Sequence, residues 1–79
     1  MHIKVICKTA EQSEGFLKNL QEGHANDHTL NLERTNGTMI EVFLTIEKSL
    51  YRVVQDIMKN ERDFYADVSV EIQDASTFD

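Results

Sequence analysis

The feature that most constrains this chain is the order in which its hydrophobic period changes, between the value of about 2 that marks a strand and the value of about 3.6 that marks a helix. Ile3, Val5 and Cys7 alternate with His2, Lys4 and Lys8, so residues 2–8 are expected to form a strand with one buried face. Ile6 departs from the alternation and sets an apolar group on the polar side. Thr9 can then cap a helix, with Gln12 three residues on to reach back in a capping box. Phe16, Leu17 and Leu20 supply its apolar stripe and Gly23 its end, which predicts a helix over 10–22. Gly15 inside that helix costs about 1 kcal/mol relative to alanine. Either the helix starts later, at Ser13, or another backbone passes close to Gly15.

Two more alternating rows, Leu30/Leu32 and Ile40/Val42/Leu44, flank Asn36-Gly37, a strong turn signal. Residues 28–46 therefore read as a hairpin. A two-residue Asn36-Gly37 loop would set Leu32 opposite Glu41 and split the apolar rows between faces. A three-residue loop, Thr35-Asn36-Gly37, instead pairs Arg34 with Thr38, Leu32 with Ile40 and Leu30 with Val42, and that register is the expected one. Leu50, Val53, Val54, Ile57 and Met58 then fall on one helix face, predicting a second helix that begins between Thr45 and Ser49 and ends near Asn60. Finally Phe64, Ala66, Val68, Val70 and Ile72 alternate with Tyr65, Asp67, Ser69, Glu71 and Gln73, which predicts a fourth strand over 64–73. Residues 74–79 are expected to be a loose tail.

The order is β-α-β-β-α-β, and right-handed crossovers place both helices on the same face of a four-stranded antiparallel sheet. This is the ferredoxin-like α+β architecture, expected as a single domain over 1–73. It leaves the other sheet face bare, and that face is expected to carry His2, Lys4, Ile6, Met39, Glu41, Phe43, Tyr65, Asp67 and Glu71.

With 79 residues, the chain is too short to enclose a sizeable substrate cavity, so a site is expected on its surface. Its longest apolar runs are two or three residues, far short of the roughly 20 that span a bilayer. It opens Met1-His2-Ile3-Lys4-Val5, without the apolar core of a signal peptide, so a cytoplasmic location is expected. One cysteine, Cys7, excludes an intramolecular disulfide and fits a buried thiol. No glycine-rich phosphate loop, nucleophile elbow or paired-carboxylate motif is present, and no catalytic function or cofactor is expected.

Fourteen Asp and Glu against eight Lys and Arg give a net charge of −6. That excess opposes direct nucleic-acid binding, which draws on cations that neutralise phosphates. It suits a protein partner with basic character instead. Glu41, Asp67 and Glu71 are the candidate acidic partner-binding residues, because alternate strand residues lie about 6.6 Å apart, comparable to successive phosphates of a nucleic-acid strand. The expected function is thus a non-catalytic interaction module, in its sharpest form an acidic inhibitor or regulator that blocks a basic nucleic-acid-handling protein. Ile6, Met39, Phe43 and Tyr65 are the candidate interface on the bare face, with a homodimer the commonest use of such a patch. The alternative is a dimeric ligand-sensing domain, similar in architecture to small amino-acid-binding regulatory modules. His24, Asp27 and His28 have the residue types of a zinc site, but their loop setting fixes too few ligands and no metal is expected.

Overall fold

A computed structural model describes residues 1–73; the segment 74–79, expected as a tail, lies outside the described residues. The chain runs β1 (His2–Cys7), α1 (Ala10–His24), β2 (His28–Asn36), β3 (Met39–Ile46), α2 (Leu50–Asn60) and β4 (Ser69–Ile72). The strands form one antiparallel sheet in the order β2-β3-β1-β4, the ferredoxin-like arrangement that the periodicity predicts.

Alternation decides which strand residues meet the helices. Ile3, Val5 and Cys7 of β1 and Val42, Leu44 and Ile46 of β3 are buried against Phe16 and Leu20 of α1 and Leu50 and Val54 of α2. The capping box forms as the sequence predicts: the Gln12 amide donates to Thr9 Oγ1 at 3.1 Å and the Thr9 amide to Gln12 Oε1 at 3.2 Å. Helical geometry in α1 breaks at Glu22 and Gly23, where Gly23 takes φ +82°, a backbone region that glycine enters at little cost. Among the described residues no helix is long and apolar enough to cross a membrane.

The hairpin departs from the expected register. Asn36 pairs with Met39, so the turn is the two residues Gly37-Thr38, with Gly37 at φ +67° in the first central position that a type II′ turn reserves for glycine. Arg34 faces Glu41 instead of Thr38, and Leu32 faces Phe43 instead of Ile40. The shift is three residues, an odd number, and it therefore turns Leu32 to the other face of the sheet. A bulge between Leu30 and Leu32 takes up one residue of the offset, so that Leu30 faces Leu44 instead of Val42 and stays on the helix side. The side chain of the bulged Asn31 donates to Thr45 Oγ1 at 2.7 Å, which anchors the irregularity.

The fourth strand is shorter than the alternation predicts. Residues 61–67 form turns, held by the Tyr65 amide on the Glu61 carbonyl and the Val68 amide on the Tyr65 carbonyl, both at 3.0 Å. Tyr65 is correspondingly not on the bare face: it is 3% exposed and belongs to the core. Its hydroxyl and the Phe64 ring pass over Gly15, where an added Cβ would lie 3.3 Å from Tyr65 Oη and 3.4 Å from Phe64 Cε2. Neither expected explanation for Gly15 is realised: the helix starts at Ala10, and it is two side chains, not another backbone, that come close.

Candidate functional site

Beyond a row of Thr29, Thr45 and His2, the face of the sheet opposite the helices holds three rows, each read from β2 toward β4. Leu32, Phe43, Lys4 and Glu71 form one, Arg34, Glu41, Ile6 and Ser69 the next, and Asn36 and Met39 a third that ends at β3. Leu32 is 49% exposed, while Ile6, Met39 and Phe43 are half-buried. The structure thus brings three of the four expected interface residues, Ile6, Met39 and Phe43, onto one face. It replaces Tyr65 with Leu32, which the expected three-residue turn places on the helix side and the observed pairing with Phe43 places on the open one.

Glu41 sits at the middle of this face and is 5% exposed. A carboxylate so placed needs compensation. Arg34 Nε donates to Glu41 Oε1 at 2.7 Å, and Lys4 Nζ lies 3.5 Å from Glu41 Oε2. Hydrogen bonding from Arg34 holds the Glu41 carboxyl below its ordinary pKa, helped by a hydrogen bond from Asn36 and the charge of Lys4, while burial opposes them. The same two cations flank an aromatic ring: Arg34 Cζ is 5.1 Å and Lys4 Nζ 5.8 Å from the Phe43 centroid, within cation–π range. Lys4 also lies 3.7 Å from Glu71 Oε1.

This geometry changes what the three candidate acidic residues can do. Glu41 is enclosed by its own cations and Glu71 shares Lys4, so neither stands as a free anion. Asp67 precedes β4 and lies in the turn segment, so the expected row of carboxylates at strand spacing does not form. The centre of the face balances two cations against two carboxylates, although the chain as a whole carries −6.

The remaining candidates lie apart from this face. His24 Nδ1 is 3.2 Å from Asp27 Oδ2, and His28 Nδ1 hydrogen-bonds the His24 carbonyl at 2.9 Å; among the described residues no three His, Cys, Asp or Glu side chains are grouped to hold a metal ion. Cys7 is fully buried, and burial, with a smaller repulsion from Glu33, pushes its thiol up to about 11. A thiol so protonated is a poor nucleophile. A shallow depression of about 410 Å³ beside α1 is lined by Gly15, Asn19, Phe64 and Tyr65 among others, and there Asn19 Nδ2 donates to Tyr65 Oη at 3.2 Å.

No protein-family model matches the sequence, and no curated protein matches it. Two solved structures resemble the fold. One is the cytoplasmic N-terminal domain of subunit I, a homolog of subunit a, of a V-ATPase, with a TM-score of 0.62 and 17% identity over 76% of this chain. This chain spans 20% of that one. The other is the de novo designed protein Foldit4, with a TM-score of 0.58 and 18% identity over 89% of this chain and 87% of that one. At such identities the likeness is one of fold.

Proposed function

We propose that the chain is a non-catalytic protein-interaction module that docks another protein against its open sheet face. The observation that carries this reading is the mixture on that face: Leu32, Phe43, Met39 and Ile6 beside Arg34, on a side of the sheet that, among the described residues, no helix covers. Aromatic residues, Met and Arg are enriched where protein partners meet, and an Arg stacked on an aromatic ring supplies apolar contact and donors together. The buried thiol of Cys7 and the shallow cavities support a binding role over catalysis. A cytoplasmic location belongs to the same reading, and the single reduced cysteine suits it. The internal pairing of Glu41 and Glu71 argues against recruitment of a basic nucleic-acid-handling partner to this face, because no free row of carboxylates is offered there. It argues equally against direct nucleic-acid binding, for which one ring and a balanced charge are too little.

The test is a photo-crosslinking amino acid placed at Leu32 in cells of the source organism, compared with the same group at Arg52, an exposed position on α2. A protein adduct formed from Leu32 and not from Arg52 is the expected result. Adducts no more frequent from Leu32 than from Arg52 would overturn the docking face.

A further inference from the structure

Resting on that reading, we infer that the occupant of the open face is a second copy of this chain, packed sheet against sheet about a twofold axis. The argument begins with charge. Each copy carries −6, so two copies repel wherever carboxylates are in excess. The open face is where that excess vanishes: Arg34 and Lys4 are matched by Glu41 and Glu71 through contacts of 2.7 to 3.7 Å. Among the described residues, bringing two such faces together sets these pairs, rather than lone carboxylates, against one another. A basic partner, by contrast, gains nothing from a balanced face and would be drawn to the carboxylates elsewhere.

Size and shape agree. The molecule measures 33 × 30 × 19 Å, and a face spanning its two longer dimensions can supply the roughly 800 Å² per partner that stable dimers bury. Sheets packed face to face in aligned fashion interdigitate their side chains, and here Leu32, Phe43, Ile6 and Met39 are the groups available to do so. In an interface with twofold symmetry each copy contributes the same patch, so the exposed Leu32 of each is covered by the other.

Edge-to-edge pairing through β2, one of the sheet's two edges, is a competing self-association, and the sequence opposes it. Two antiparallel β2 strands related by a twofold axis would pair about a central residue with its own copy. Centred on Glu33 or Arg34, in the regular half of the strand, this sets like charges directly opposite. Centred nearer Leu30, the pairing runs into the bulge at Asn31, a device that blunts sheet edges.

Sedimentation equilibrium of the full chain tests the inference. A concentration-dependent species of twice 9.1 kDa is expected, and it should tighten as salt rises from about 0.05 to about 0.5 M, because screening removes the net repulsion between copies. Leu32→Asp and Leu32→Lys should each weaken it at least about tenfold, with unchanged circular dichroism, since either charge must be buried in the interface. A wild-type chain monomeric up to about 1 mM, a dimer loosened by salt, or one indifferent to both substitutions would overturn the inference. So would opposite effects of Asp and Lys, which would mean that net charge alone governs association. A monomeric chain that still forms Leu32 adducts with other proteins would remove the second copy and leave the docking face standing, whereas absence of any adduct would remove both.

Discussion

Arg34 Nε donates to Glu41 Oε1 at 2.7 Å between residues directly opposite on β2 and β3, and through this contact a carboxylate that is almost wholly buried remains charged on an otherwise partly apolar sheet face. Lys4 approaches the other oxygen from β1. Three strands thereby converge on one side chain, and the pair of cations is also what frames the Phe43 ring.

The pH dependence of stability follows from that arrangement. Arg34 holds the folded-state pKa of Glu41 below its unfolded value, so the stabilisation is complete above the ordinary glutamate pKa of about 4.3 and is lost as pH falls through the lower folded value. Glu41→Gln should be less stable than wild type at neutral pH, and the gap should close on acidification below about pH 4. Urea unfolding midpoints of both proteins across that range check it; a gap that does not change with pH would show that Glu41 does not act through its charge.

Gly37 carries the turn that sets the hairpin register. Its φ of +67° is costly for other residues, while nothing lies within 4 Å of the position a Cβ would take. Gly37→Ala should therefore cost more than about 1 kcal/mol from backbone conformation alone, and Gly37→Asn less, since asparagine is better accepted than alanine at such primed-turn positions. Equal losses in thermal unfolding would disprove the conformational explanation.

Gly15 and Tyr65 should be coupled. Alanine at position 15 gains about 1 kcal/mol in helix propensity but presses on a hydroxyl that Asn19 holds in place. Gly15→Ala alone is expected to be near neutral, and in the Tyr65→Phe background it should stabilise by about 0.5–1 kcal/mol. A double-mutant cycle with no coupling between the two positions would contradict the contact.

Cys7 should be inert in the folded protein. With its thiol pushed up to about 11 and no exposure, alkylation near pH 8 should run at least about a hundredfold slower than in the urea-unfolded chain. Comparable rates would mean that β1 opens readily from the sheet.

Much of the site was within reach of the sequence. Ile6 stood out as an apolar group on a polar row, and Met39 and Phe43 shared its face by parity alone. Leu32 did not, because a strand's pattern of alternation leaves its partner's register open: both Thr35-Asn36-Gly37 and Gly37-Thr38 are chemically reasonable turns, and only the pairing of Arg34 with Glu41 and Leu32 with Phe43, together with the bulge at Asn31, separates them. Tyr65 misled for a related reason. Phe64 to Ser69 alternates like a strand, yet this segment must carry the chain from the end of α2 to the edge of β1, and it does so in turns.

The sequence by itself determined the order of elements, both helices, the capping box at Thr9 and Gln12, and the buried faces of β1 and β3, because these depend on periods and contacts only a few residues long. The tertiary structure alone decided what depends on distant partners. It placed Tyr65 over Gly15, tied the Gln12 Nε2 donor to the Phe64 carbonyl at 2.8 Å, and enclosed Glu41 between Arg34 and Lys4. Local patterning specifies which side of a strand or helix is apolar; it carries no information about which remote side chain fills the gap beside it, since that is settled by packing and charge pairing after the elements have met.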